Sequence, residues 1–134
     1  VKNTAVDRER IAAFVADLKT RPIAENTADA NDQHYEVPPE FYQYSLGDYR
    51  KYSAGLWVAP DTTLTESEFE ALELVCKRAQ LEDGQKVLEL GCGWGSFTLY
   101  AATKYPGSQF TCVSNSASQR RYIEAEAARR GLNN

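Results

Sequence analysis

The sequence predicts an α/β fold built on parallel strands, and predicts only part of one. Three observations carry this. Residues 86–90, 96–105, 109–113 and 117–130 read as strand, helix, strand and helix, the order of a parallel sheet with crossover helices. The first strand runs straight into Gly91-Cys92-Gly93-Trp94-Gly95, a glycine loop that opens a helix. Only two strands can be read in the 134 residues, and two parallel strands alone leave both sheet edges open.

Before the strands the chain reads as helices joined by irregular segments. Val6, Ile11, Phe14, Val15 and Leu18 recur at helical spacing until Arg21-Pro22 stops them. Residues 24–33 are polar without a clear period and read as a loop or a short helix. Pro38-Pro39 can start a helix over 40–46, because a proline at the first helical position forfeits no needed hydrogen bond. Gly47-Asp48 reads as a turn, and residues 49–60, with Tyr49, Tyr52 and Trp57, fit neither helix nor strand. Thr65-Glu66-Ser67-Glu68 reads as a capping box in which Thr65 caps a helix and Glu68 reaches back. Phe69, Leu72, Val75, Cys76 and Ala79 continue that helix to about Gln80, and Glu82-Asp83-Gly84-Gln85 turns the chain into the first strand. Pro106-Gly107 separates the first crossover helix from the second strand, and Gly131 closes the last helix.

Bulk properties narrow the function classes. A hydrophobic share of 43% with 25% charged residues is that of an ordinary globular chain able to bury a core. The net charge of -4 gives the whole chain no attraction for nucleic acid or anionic lipid. Arg120, Arg121, Arg129 and Arg130 form a local basic cluster, read as the solvated face of a helix. Cys76, Cys92 and Cys112 are odd in number and lack metal-ligand spacing, so neither a disulfide framework nor a zinc site is expected; Cys76 and Cys112 read as small core residues, in a reducing cytoplasm. No apolar run approaches the ~20 residues of a membrane span, and the first residues lack a signal-peptide pattern. Methionine is absent, so the start of the gene product is expected before Val1, or its initiator removed.

The glycine loop carries the chemistry. Glycines admit positive φ and remove the Cβ atoms that would keep a ligand from the backbone, and the helix behind them offers unpaired amides. Gly91, Gly93 and Gly95 alternate, with Ser96 where the dinucleotide fingerprint wants its third glycine or alanine. That spacing suits a cofactor without a pyrophosphate whose amino-acid tail crosses the loop. Glu89, just before it, is placed either to orient the loop or to meet the cofactor's ammonium through water. The end of the second strand is the usual place for a ribose-binding carboxylate, yet it reads Val113-Ser114-Asn115-Ser116. An NADP site with Arg120 or Arg121 at a 2′-phosphate stays open on that count, as does a glycine-rich turn with no ligand.

Four segments, in order, resemble the cyclopropane-fatty-acyl-phospholipid synthase family, which includes the mycolic acid cyclopropane synthases and the coclaurine N-methyltransferases. They are His34-Tyr35-Glu36-Val37-Pro38-Pro39-Glu40-Phe41-Tyr42, Lys51-Tyr52-Ser53-Ala54-Gly55-Leu56-Trp57, Val87-Leu88-Glu89-Leu90-Gly91-Cys92-Gly93-Trp94-Gly95-Ser96 and Ser114-Asn115-Ser116-Ala117-Ser118-Gln119. The resemblance covers about residues 30 to 134. It implies a Rossmann-like methyltransferase fold dependent on S-adenosylmethionine, incomplete here. Residues 1–80 would be the helical, substrate-side cap, and residues 81–134 the first βαβα half of the cofactor domain. It implies cofactor contacts from Gly91, Cys92, Gly93 and Gly95 with Glu89 before them, from Ser114, Asn115 and Gln119, and from Tyr52 and Ser53 over the methionine end.

Ala54 stands where the cyclopropane synthases carry a cysteine that helps hold bicarbonate, a contact alanine cannot make. Residues 72–81 and Leu99-Tyr100 are nearer the coclaurine N-methyltransferase branch. The implied acceptor is an amine-type small molecule or a lipid acyl chain, with no nucleic-acid partner and at most peripheral membrane contact. His34 is placed near the substrate mouth without a proton-transfer role, and Phe41 and Trp57 read as core aromatics. The family's acid-base residues mostly follow its fourth strand, so no catalytic residue is named. The chain is expected to be a fragment of a longer protein, inactive alone and able to self-associate through its strand edges. An NADP-binding reductase and a cofactor-free interaction module are the competing readings.

Overall fold

The computed structural model describes residues 4–27, 29 and 38–134 and divides into two compact units, Val1–Glu36 and Val37–Asn134. Part of the 24–33 segment, together with His34 and the Tyr-Glu-Val that follows it, lies outside the described residues. In the first unit, α1 (Thr4–Leu18) forms where the apolar spacing predicts it. Its stripe of Ile11, Phe14, Val15 and Leu18 is exposed. Arg21 pairs with Asp17 at 2.7 Å and Glu25 at 3.5 Å.

The second unit holds α2 (Pro39–Ser45), α3 (Leu64–Arg78), β1 (Lys86–Leu90), α4 (Ser96–Lys104), β2 (Gln109–Val113) and α5 (Ala117–Arg130). The helix over 64–78, read as part of an N-terminal helical region, shares this unit with the strands. Glu73 of α3 ties it to α4, accepting from the Tyr100 hydroxyl and the Lys104 ammonium. Both strands have their expected bounds, and α5 ends at Gly131, whose left-handed φ of 68° lets its N–H reach the carbonyls of Ala127 and Ala128. Among the described residues no helix is long and apolar enough to cross a membrane.

β1 and β2 pair in parallel, with Leu88 opposite Thr111, Glu89 opposite Cys112 and Leu90 opposite Val113. Side chains alternate between the faces of a strand. Val87, Glu89, Phe110 and Cys112 are half-buried, and Cys112 packs against a core of Cys92, Leu99 and Ile123 supplied by the loop, α4 and α5. The opposite positions, Leu88, Leu90 and Val113, are exposed. The Val113 carbonyl at the end of β2 accepts from Gly91 N–H at 3.0 Å and Cys92 N–H at 3.1 Å, so the sheet itself fixes where the glycine loop starts.

The capping box lies two residues earlier than the sequence suggested. Thr63, not Thr65, caps α3: its hydroxyl accepts from Glu66 N–H at 3.3 Å, and Glu66 accepts from Thr63 N–H at 2.8 Å. Both frames fit the Thr-x-x-Glu pattern, and Leu64 opens the helix in the one that forms. Thr63→Ala is expected to lower stability by about 1 kcal/mol in chemical denaturation, whereas Thr65→Ala, which removes a bond to Asp48 N–H of 3.2 Å, should cost less than half of that.

Glu68, released from capping, is 1% exposed. Its carboxylate accepts backbone N–H bonds from Gly47 at 2.9 Å, Tyr49 at 3.0 Å and Lys51 at 3.3 Å. Leu56 N–H bonds the Ser67 carbonyl at 2.8 Å further along the same segment. Two glycines make this approach feasible: a Cβ at Gly47 would lie 2.7 Å from Glu68 Oε2, and one at Gly55 would lie 2.3 Å from Ser67 Oγ. The aperiodic 47–56 stretch is thus held by its backbone against the start of α3.

Neither aromatic expected in the core, Phe41 or Trp57, is buried. Tyr42 is 6% exposed, but Phe41 is 56% and Trp57 57% exposed. Phe41 is adjacent to Tyr42 on a short helix, where successive residues point about a quarter-turn apart, and only Tyr42 meets Trp94. Trp57 follows a segment anchored through Leu56 N–H and needs no burial of its own to stay in place. The basic cluster is a solvated face: Arg120 pairs with Glu124 at 2.7 Å, and Arg129 and Arg130 both reach Glu126 at 2.6 Å. Their guanidinium hydrogen bonds, Arg129 first, hold the Glu126 carboxyl down at about 2.

Candidate cofactor-binding site

The site starts from the three left-handed glycines, with φ of 81° at Gly91, 54° at Gly93 and 74° at Gly95. A Cβ added at Gly91 or Gly93 would meet no protein atom within 4 Å. At Gly95 it would lie 2.6 Å from Ile123 Cγ1. The glycines therefore divide their work. Gly91 and Gly93 keep open space over the backbone, and Gly95, the N-cap of α4, lets α5 pack against the loop.

The open space belongs to a cavity of about 550 Å³ running along β1 from the loop. Such a volume lies within the usual range for small-molecule sites. Tyr52, Ser53, Glu89, Gly91, Cys92 and Gly93, all expected at a cofactor, line it together. Arg50, Lys51 and Trp94 line it too and were not singled out from the sequence. The Lys51 ammonium donates to the Ser53 carbonyl at 2.9 Å and its hydroxyl at 2.8 Å, and the Arg50 guanidinium lies 4.4 Å from the Tyr122 ring centroid. Neither cation has a carboxylate partner among the described residues, so both are available to an anionic group. Trp94 is 4% exposed and packs between Tyr42, tilted at 42°, and Tyr122, edge-on at 75°, with ring centroids 5.1 Å and 5.6 Å away. An aromatic inside a glycine loop was the signal for it.

Glu89 accepts from the Thr98 hydroxyl in the first turn of α4. That bond ties β1 to the start of α4 across the glycine loop. Burial pushes its carboxyl up, with Thr98 offsetting part of the effect. The Cys92 thiol is pushed up to about 12, first by burial and then by neighbouring Cys112. A thiol so held is no nucleophile at neutral pH, and Cys92 acts as wall and core.

The second-strand loop stands slightly apart. Ser114 shares a further cavity of about 380 Å³ with Cys92, Cys112, Val113, Arg120, Ile123 and Glu124. Asn115 and Gln119 line neither of these two cavities. Gln119 is buried and accepts from the Ser114 hydroxyl at 2.6 Å, while Ser116 caps α5 by accepting from Gln119 N–H at 3.3 Å. The loop is ordered by its own polar groups, and Cys92, common to both cavities, joins it to the glycine loop.

The donors fit the cofactor that the sequence suggests. A methionine-type tail carries one ammonium and one carboxylate. The larger cavity is lined by a carboxylate, Glu89, by the cations Arg50 and Lys51 with Ser53, and by bare glycine backbone between.

Comparison with known proteins agrees. The sequence profile of the mycolic acid cyclopropane synthetase family matches residues 23–134. The chain is 44% identical over 129 residues to (S)-coclaurine N-methyltransferase of Thalictrum flavum subsp. glaucum, covering 94% of this chain and 36% of that protein. Against (S)-coclaurine N-methyltransferase of Papaver somniferum it is 40% identical over 121 residues, 90% of this chain and 34% of that one. The crystal structure of coclaurine N-methyltransferase bound to N-methylheliamine and SAH superposes with a TM-score of 0.94 at 40% identity, over 100% of this chain and 39% of that one. Mycolic acid cyclopropane synthase CmaA1, complexed with SAH and CTAB, shares the fold at a TM-score of 0.69 and 23% identity, over 80% of this chain and 37% of that one. The chain spans about a third of the length of the curated relatives it matches. With the glycine loop, the Tyr52-Ser53 wall and the Ser114–Gln119 loop all in place, the chain belongs to the mycolic acid cyclopropane synthetase family.

Proposed function

We propose that this chain forms the S-adenosylmethionine-binding part of a methyltransferase acting on an amine-type small molecule. The observation that carries the reading is the open space over Gly91 and Gly93 inside a cavity lined by opposite charges. S-adenosylmethionine, when bound, supplies an electrophilic methyl on a sulfonium. The chain's own residues hold and orient. Glu89 fixes the turn from β1 into α4 through Thr98. Lys51, braced on Ser53, offers charge to a carboxylate. Tyr42, Trp94 and Tyr122 form an aromatic wall beside the loop that keeps water from one side. Placement of two reactants is the main contribution such a site makes to rate.

An amine is favoured over a lipid acyl chain as acceptor for two reasons. Ala54 cannot hold a bicarbonate, and relatives at 44% and 38% identity are named for N-methylation, whereas a relative at 35% identity is the Sphingolipid C9-methyltransferase of Komagataella phaffii.

Calorimetric titration of the whole protein with S-adenosylhomocysteine, and separately with NADP, tests the reading. Saturable binding of the first alone is expected. At a hundredfold excess over its Kd it should raise stability by about 2.7 kcal/mol in thermal denaturation. Binding of NADP alone would replace the reading with a reductase, and binding of neither with an interaction module.

A further inference from the structure

We propose that Glu68 is a positioning residue for cofactor binding: a buried carboxylate on α3 that places residues 50–53 at the cavity by gripping the backbone amides of Gly47, Tyr49 and Lys51 that lead into them. It touches neither the cavity nor the glycine loop, and it rests on the cofactor reading above.

The geometry is specific. Glu68 Oε1 accepts from Gly47 and Lys51 N–H and Oε2 from Tyr49 N–H, so the two oxygens bracket a single turn of chain. That turn is closed by Arg50 N–H on the Gly47 carbonyl at 3.0 Å. Arg50, where the turn ends, has φ of 50°, a left-handed conformation that side-chain-bearing residues avoid. Such strain persists only where the surroundings over-determine it, and it gathers at ligand clamps. Here the residues on either side of Arg50 are the ones whose amides Glu68 holds.

The next four side chains along, from Arg50 to Ser53, all line the cavity. Tyr52 and Ser53 are exposed, so burial does not hold them. The anchored backbone before them and Leu56 N–H behind them fix the path of this segment, on which the Lys51 ammonium braces Ser53 and the Tyr42 ring meets Tyr52. Among the described residues Glu68 has no cationic partner that would make it half of an ion pair. Its charge is spent on main-chain donors, bonds stronger than neutral ones.

The two oxygens make the test graded. Glu68→Ala removes all three bonds. Glu68→Gln keeps the volume and can keep the two bonds to one oxygen, but turns an amide NH2 toward the third donor. Binding of S-adenosylhomocysteine to the full-length protein should weaken roughly tenfold or more in Glu68→Ala and about threefold in Glu68→Gln. Measurement is by calorimetry well below each variant's thermal midpoint. Hydrogen exchange should speed up at the amides of Gly47, Tyr49 and Lys51 while those of β1 and β2 stay protected.

A role confined to fold stability predicts the contrary: lowered midpoints with the wild-type Kd. That result in Glu68→Gln, which retains the shape even if Glu68→Ala fails to fold, overturns the proposal. Wild-type protein that binds no S-adenosylhomocysteine overturns the cofactor reading and this one with it; tight wild-type binding matched by both variants overturns this one alone.

Discussion

Gly91→Ala is expected to weaken S-adenosylhomocysteine binding roughly ten- to a hundredfold while leaving the protein folded. The new methyl meets no protein atom within 4 Å, so nothing in the core resists it. It enters the space over the backbone where a ligand would lie; overpacking there costs about 1–3 kcal/mol, and each 1.4 kcal/mol is about tenfold in Kd. The stability cost comes from the backbone, since φ of 81° is left-handed and an alanine there costs about 1–2 kcal/mol. Calorimetric titration and a denaturation curve on the same sample separate the two effects. Wild-type affinity in this variant would mean that the ligand does not approach Gly91.

Gly95→Ala should show the reverse pattern. Its Cβ would lie 2.6 Å from Ile123 Cγ1 and 3.0 Å from Cδ1, inside the core of Cys92, Leu99 and Ile123. Ile123 is 7% exposed and has little room to yield. Overpacking of about 1–3 kcal/mol adds to the left-handed penalty of about 1–2 kcal/mol, for a loss of about 3 kcal/mol and roughly 10 °C in Tm. Ile123→Ala in the same chain removes the clash but not the backbone strain. The double variant should therefore be more stable than the sum of the single losses, a coupling that a double-mutant cycle measures. Strict additivity would show that the two side chains do not compete for one space.

These two glycines look alike in the sequence, which marks the limit of what spacing conveys. Alternation predicted the loop, its strand and its helix, and each formed with the expected bounds or within one residue. Local rules suffice there, because a period of two, a period of 3.6 and a glycine are properties of neighbouring residues. What each glycine does is decided by α5, which arrives some 28 residues later in the chain at Ile123. The same holds for Glu68. Its frame relative to Thr65 fits a cap, and only the return of the 47–51 backbone gives it three other donors. Ser114 and Gln119, expected to face a ligand, bond each other, a pairing set by the turn into α5. Arg50 and Lys51 escaped notice because a cation in an aperiodic stretch has no pattern to betray it.

The attachment of residues 47–51 to α3 sets the terms on which this wall can change its chemistry. Glu68 reads amides, so the contacts at 49 and 51 are indifferent to which side chain is present and refuse only proline, which has no N–H to give. Gly47 alone is barred from carrying a side chain, by its close approach to Glu68 and Thr65. A lining built this way is modular. Within the left-handed backbone at Arg50, which disfavours β-branched residues, the side chains at 50–53 can be exchanged for a different charge or bulk facing a different ligand without rebuilding the support beneath them.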